Sequence, residues 1–182
     1  MFLILINKFF ASLIVLSDVF IVTGIIYYFF LKQRHNDAVV DFFGKHGIKF
    51  AFFVSLGATV TTLFYSYWAG YAACDLCWFQ RIFIYPQVVL LGLAWWKGDR
   101  KIVDYAIPLA WFGAAFAFYH NYIYYGGTPL FNCDANSEAI SLCLKNYINE
   151  FGYVTIPVMS LTAFALLIGF LYLQKAYNKS HS

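Results

Sequence analysis

An all-α integral membrane fold is what this sequence predicts, and three observations predict it. Hydrophobic residues make up 62% of the 182 positions and charged residues only 12%, with a mean hydropathy of +0.67, beyond the usual balance of a water-soluble domain. Apolar runs of about twenty residues, the length at which a helix crosses roughly 30 Å of hydrocarbon, recur along the chain. The lysines and arginines stand at the ends of those runs rather than in a patch of their own. With a net charge of +3 and no basic stretch interleaved with aromatics, the composition excludes a nucleic-acid partner and makes the lipid bilayer the first one.

Five spans follow, taken in order. The first, near Phe9 to Leu31, is too long for the apolar core of a signal peptide and has no small-x-small cleavage pattern, so it reads as retained. It carries Asp18, which costs about 3 kcal/mol if ionised at mid-bilayer and should therefore face another helix or stay protonated. The second span runs near Phe50 to Ala73. The third, Arg81 to Trp96, is the shortest and is extended by Trp78 and Phe79, with Pro86 predicting a kink inside it. Val103 to Tyr125 and Thr155 to Leu173 complete the set, with Pro108 and Pro157 in early turns where proline costs little. Between the last two lies the one sizeable polar stretch, Gly126 to Gly152. Within it, from Ser137 onward, Ile140, Cys143, Leu144, Tyr147, Ile148 and Phe151 recur at three-and-four spacing. That pattern predicts an amphipathic helix lying in the interface or packed on the bundle.

Charge sets the orientation. Lys32 and Arg34 follow the first span, whereas only Lys8 precedes it, so the positive-inside rule places the N-terminus outside. Alternating from there, the inner segments hold Lys32, Arg34, Lys45, Lys49, Lys97, Arg100, Lys101, Lys175 and Lys179, and the outer ones hold Lys8, Arg81 and Lys145. Aromatic belts agree: Tyr65, Tyr67, Trp68, Tyr71, Trp78, Tyr122, Tyr124 and Tyr125 cluster near outer ends, and Trp95 and Trp96 at an inner one. All four cysteines then fall on the outer face, where disulfides persist away from the reducing cytosol.

The cysteines form two close pairs in sequence, Cys74 with Cys77 and Cys133 with Cys143. A C-x-x-C closes a very small ring whose sulfurs exchange readily between disulfide and dithiol, which suits electron transfer better than bracing. At a helix start, Cys77 would feel the positive end of the helix dipole, and Arg81 would lie one turn on along the same face. Both favour the thiolate, the form that attacks a disulfide or an electrophilic ring, and Arg81 can also hydrogen-bond an acceptor carbonyl. The same residues equally fit a snorkelling interfacial arginine beside a structural disulfide. A zinc site from the four cysteines is disfavoured by the nine-residue gap in the second pair. Two pairs together suggest a relay, one exchanging with a soluble partner and the other with an acceptor in the bilayer; alternatively the second pair simply braces its loop. His120, near the outer end of the fourth span, is either an interfacial polar residue or a hydrogen-bond and proton partner for such an acceptor.

The run Cys74-Asp75-Leu76-Cys77-Trp78-Phe79-Gln80-Arg81, followed by Ile82-Phe83-Ile84-Tyr85-Pro86, resembles the DsbB/BdbC disulfide bond formation proteins, the BdbC branch especially. Further resemblance lies in Phe151-Gly152-Tyr153-Val154-Thr155-Ile156-Pro157 and in Tyr119-His120 ahead of Cys133, and it covers roughly Phe50 to Lys175. It implies a DsbB-like four-helix transmembrane bundle over residues 50–177 with two extracytoplasmic redox loops. One additional N-terminal transmembrane helix and a cytoplasmic loop occupy 1–49, and a cytoplasmic tail occupies 178–182. The resemblance further implies a protein-dithiol:quinone oxidoreductase of the bacterial cytoplasmic membrane that reoxidises a DsbA/BdbD-like thioredoxin-fold thiol oxidase. Its electrons pass to the membrane quinone pool, as ubiquinone or menaquinone, and no metal is implied. On this likeness Cys133 meets the partner with Cys143 as its disulfide mate, and Cys77 faces quinone with Cys74 as its mate. Arg81 and His120 are quinone-site groups. The extra first span departs from the family pattern and inherits no role from it. Two alternatives stand beside this expectation. A vitamin K epoxide reductase-like quinone reductase would place its loop cysteines before the C-x-x-C, the reverse of the order here. A non-catalytic membrane scaffold would hold two inert structural disulfides.

Overall fold

The computed structural model describes residues 2–27, 38–128 and 147–181. Among these residues there is no strand, only helices, turns and one isolated antiparallel bridge between Glu150 and Val154. The elements are α1 (Phe2–Ile26), α2 (Ala38–Lys45), α3 (Gly47–Leu63) continuing into a π-helical turn (Phe64–Trp68), α4 (Asp75–Lys97), α5 (Val103–Tyr124) and α6 (Ile156–Ser180). Four of the segments, Leu3–Ile26, Gly47–Trp68, Asp75–Lys97 and Ile156–Ser180, are long and apolar enough to cross a membrane. α5 has 22 residues, about 33 Å at 1.5 Å per residue, and packs against both α4 and α6. The chain is therefore an all-helical, multi-pass membrane protein, as its composition predicts.

Several boundaries differ from the sequence reading. α4 begins at Asp75 rather than Arg81: polar residues interrupt the apolar run, but Asp75 complements the helix dipole in the first turn, and Gln80 and Arg81 are buried. The helix closes at Gly98, left-handed at φ 70°, where Asp99 N–H donates to Ala94 O at 2.9 Å. α1 starts at Phe2 and α6 runs on to Ser180. The amphipathic helix expected through Phe151 does not reach it. Tyr147 to Val154 bends into the Glu150–Val154 bridge, with Phe151 at φ 53° and Gly152 at φ 78°, both incompatible with a right-handed helix. The rest of that stretch, with Cys133 and Cys143, lies outside the described residues.

The core lies between α3, α4, α5 and α6, where Leu91, Phe164, Leu167 and Leu171 are fully buried against small residues such as Ala51, Ala106 and Ala110. Lipid removes the hydrophobic drive between helices, so close packing and interhelical hydrogen bonds must hold the bundle. Gly113 supplies the closest packing, since a Cβ there would stand 2.2 Å from the Phe164 ring. The buried amide of Gln87 donates to Ala106 O at 2.9 Å, and that of Asn121 to Pro157 O at 2.8 Å. Ile48 N–H donates to Gln174 Oε1 at 3.2 Å. Together these tie α4 to α5, α5 to α6 and α3 to α6.

α1 lies against α6 at the edge of the bundle and leaves Leu5, Phe9 and Leu16 exposed, as a lipid-facing helix should. Its two polar anchors point inward. Asn7 Oδ1 accepts from the buried Tyr65 hydroxyl at 3.1 Å, and the Asp18 carboxylate accepts from Thr162 at 2.8 Å and Tyr153 at 3.3 Å. The expectation that Asp18 faces another helix is met. In the loop before α6, the Tyr153 phenol is held above its usual range, by desolvation first and then by the Asp18 carboxylate.

The two ends of the bundle differ in chemistry. The N-terminus of α4 carries Cys74 and Cys77 and meets the C-terminal ends of α3 and α5. At the other end Lys49 lies over Trp95 at 5.5 Å, Arg100 over Tyr177 at 5.8 Å, and Lys175 pairs with Asp104 at 2.8 Å.

Candidate active site

Cys74 is the N-cap of α4, with an extended backbone (φ −75°, ψ 170°), so Cys77 falls in the first helical turn. The chain's turn into the helix brings the sulfurs to 3.1 Å. That is longer than a covalent bond of about 2.05 Å, and describes two thiols within reach of closing. Cys74 is buried and Cys77 half-buried.

α5 delivers His120, also buried, with Nε2 3.9 Å from Cys74 Sγ. On its other side Gln80 Nε2 is 3.1 Å from Nδ1. An amide nitrogen only donates, so Nδ1 accepts and the proton of a neutral imidazole lies on Nε2, facing the sulfur. Sequence spacing could not bring His120 to the cysteines, since 46 residues separate it from Cys74; the α4–α5 packing does so. Gln80 was missed as a site residue. Its signal was its position three residues after Cys77, on the same helical face.

Arg81 is not the snorkelling residue that one reading allowed. Only 8% of it is exposed. Its Nη2 donates to Thr62 O at 3.4 Å and to the Ser66 hydroxyl, and the guanidinium lies over the Trp78 ring at 5.0 Å. Ser66 belongs to the π turn, where Ala69 N–H bonds Phe64 O five residues back. The one-residue widening sets the direction of the side chains there, and such turns recur at functional sites. Among the described residues Arg81 Nε is buried without a hydrogen-bond partner, a donor whose desolvation is costly while it stays unpaired.

Cys74, Cys77, Arg81 and His120 all line one cavity of about 630 Å³ that continues between α1, α3, α4 and α6. Beyond the polar end its walls are mainly apolar, with Phe53, Val60, Ile84 and Leu166 among them. A molecule with a polar ring and an apolar body fits this division: Arg81 Nε–H and His120 at the head, hydrocarbon below. The two sulfurs and the imidazole nitrogen, all within 4.8 Å of one another, are equally a donor set for a soft divalent ion.

The segment after Cys143 docks at the same end. Tyr147 stacks on Tyr71 at 4.6 Å and Tyr71 on Tyr65 at 5.6 Å, while Ile148 is buried beside them. Tyr65 and Tyr71, expected in an aromatic belt, form this stack instead; Tyr67 and Trp68 keep the belt's exposure.

Residues 45–174 match the family model described as Disulfide bond formation protein DsbB. The chain belongs to the DsbB family. Its DsbB-family relatives include Disulfide bond formation protein C of Bacillus subtilis (strain 168), 38% identical over 122 residues, covering 67% of this chain and 87% of that protein. Probable disulfide formation protein C 2 of Bacillus cereus (strain ATCC 10987 / NRS 248) is 30% identical over 135 residues, 74% of this chain and 95% of the relative. A probable disulfide formation protein of Coxiella burnetii (strain CbuK_Q154) is 33% identical over 136 residues, 74% of this chain and 90% of the relative. No solved structure matches the chain. DsbB-family membership makes this a membrane protein of disulfide bond formation, a disulfide-forming oxidoreductase. The family match begins after α1.

Proposed function

We propose that this chain reoxidises an extracytoplasmic thioredoxin-fold thiol oxidase of the DsbA/BdbD kind and passes the electrons through two cysteine pairs to a membrane quinone. The observation that carries the reading is the buried Cys74–Cys77 dithiol on the wall of an apolar cavity, beside an unbonded Arg81 N–H and the His120 imidazole. A scaffold disulfide needs neither the cavity nor the buried cation.

In this reading Cys133 and Cys143 form the disulfide that the partner's thiolate attacks; the partner leaves oxidised, and the Cys133–Cys143 dithiol so formed reduces the Cys74–Cys77 disulfide by internal exchange, closing its own bridge again. The Tyr71–Tyr147 stack supports that exchange by holding the end of the second loop three residues from Cys74 in sequence. Cys77 transfers the electron pair and Cys74 closes the bridge. The His120 Nε2 proton stabilises the Cys74 thiolate, and Gln80 holds the tautomer that keeps it there. Arg81 hydrogen-bonds the acceptor's ring oxygen through Nε, with Nη2 anchored on α3. A bound quinone, ubiquinone or menaquinone, supplies the sink for two electrons and two protons; one partner dithiol becomes one disulfide. The cysteine end faces outward and the basic end the cytoplasm, with five spans and the N-terminus outside. The segregation of Lys49, Arg100 and Lys175 at the end away from the cysteines supports that orientation.

The test is quinone reduction followed by absorbance, with protein purified in detergent and a reduced thioredoxin-fold partner. Cys77→Ser and Cys133→Ser should each abolish turnover, and full activity in either would sink the relay. Arg81→Ala should raise the apparent quinone KM by roughly 10-fold or more, the loss of a hydrogen bond from a charged group. An unchanged KM removes Arg81 from the site.

A further inference from the structure

α1 lies outside the residues matched to the family, yet it forms part of the cavity. Phe10, Leu13, Ile14 and Ser17 face the space that Cys77 and Arg81 face from the other side. Much of the rest of α1 is exposed on the outside of the bundle, so this stretch is where the helix faces the cysteine cavity. Its two inward polar anchors bracket the stretch: Asn7 on Tyr65 before it, Asp18 on Thr162 and Tyr153 after it. A helix held only by bulk hydrophobicity has no need of polar anchors, because lipid tails offer the same apolar contact.

The cavity is also longer than a ring. Along α3 it is lined from Phe53 to Ser66, about 20 Å at 1.5 Å per residue. The cysteines, Gln80, Arg81 and His120 gather at one end, and the polar side chains further along, such as Ser17 and Ser160, are small hydroxyls among apolar neighbours. Gly57, partway along, would meet nothing within 4 Å if it bore a Cβ, which marks open space beside it.

Resting on the quinone reading, we propose that α1 is the lateral wall of the acceptor site: it closes the cavity against the bilayer and holds the acceptor's apolar tail against Phe10, Leu13, Ile14 and Ser17. The chain then selects long-tailed acceptors over the bare ring, and the selectivity resides in a helix that the family core does not include. The ring end remains the business of Arg81 and His120.

The experiment compares two acceptors with the same ring, one with a long isoprenoid tail and one without a tail, on the full-length protein in detergent with reduced partner. The variants are Ile14→Trp and Ser17→Leu. Ser17 Oγ donates its one proton to Leu13 O of its own helix, so among the described residues the leucine leaves no acceptor on another helix unpaired. A steric misfit in an apolar pocket is worth roughly 10–200-fold. The KM for the long-tailed quinone should therefore rise about 10-fold or more, with the tail-free quinone changed by less than about 2-fold on the same scale. Equal changes for both acceptors, or none, overturn the proposal. A second measurement is independent of the variants: a quinone with a photoreactive group on its tail should label residues 10–17 of the wild-type chain, competed by unmodified long-tailed quinone. Labelling confined to α3 and α6 overturns it. Should the wild-type chain reduce neither quinone, the acceptor reading itself fails and α1's role falls with it. Turnover of both without tail dependence removes α1 alone.

Discussion

The imidazole beside the sulfur of Cys74 is itself held by a second residue. Gln80 can donate but not accept through Nε2, so its 3.1 Å bond to Nδ1 decides which nitrogen of His120 carries the proton. Two substitutions separate the roles. His120→Ala removes the donor, and exchange through Cys74–Cys77 should slow by roughly 10²-fold, the lower range for a positioned acid or base. Gln80→Leu leaves the ring in place with its tautomer unset. It should slow turnover less and shift the pH profile, and an unaltered profile would reduce Gln80 to a packing role. At this scale the sequence was uneven. Cys74, Cys77 and Arg81 were legible because they share one helical face within eight residues. His120 was a candidate without a location, because its neighbours depend on packing between helices. Thr62 and Ser66 carried no signal, since Thr62 meets Arg81 through its main-chain oxygen where α3 packs on α4, and Ser66 does so from the π turn.

The helices were legible where hydrophobic length decides and blurred where polar residues enter a span. α4 starts six residues before its apolar run because a protein interior, not lipid, surrounds Gln80 and Arg81. The Tyr147–Phe151 segment had the period of a helix, yet the left-handed Phe151 and Gly152 break it to form the bridge leading to the Thr155 cap of α6. Element packing makes its own prediction at Gly113. An alanine Cβ there collides with Phe164, and overpacking of this kind costs about 1–3 kcal/mol. Gly113→Ala should lower the thermal midpoint in detergent, and Phe164→Ala, which by itself empties the core at a cost of about 3–5 kcal/mol, should cost less in the Gly113→Ala background than in the parent, because there it also removes the clash. A midpoint insensitive to Gly113→Ala would mean that α5 and α6 are further apart than described.

For the whole molecule, charge counting and helix ends agree on one arrangement: among the described residues, the N-terminus of α1 and the N-terminus of α4 with Cys74 and Cys77 share a face, and the basic cluster lies opposite. An epitope at the N-terminus should be digested by protease added to intact spheroplasts, and one at the C-terminus should survive until the membrane is opened. The reverse pattern would turn the cysteines toward the cytosol and remove the extracytoplasmic partner. That the chain is a multi-pass helical membrane protein could be read from composition, but the attachment of α1 could not. Its anchors pair residues 58 and 144 positions apart, separations at which no local pattern operates. Those separations also set an order of assembly. As the chain emerges from the ribosome, Asp18 enters the bilayer before Thr162 has been made, and its carboxylate waits there at a cost of about 3 kcal/mol if charged. α6, synthesised well after α1, is thus the helix that settles it.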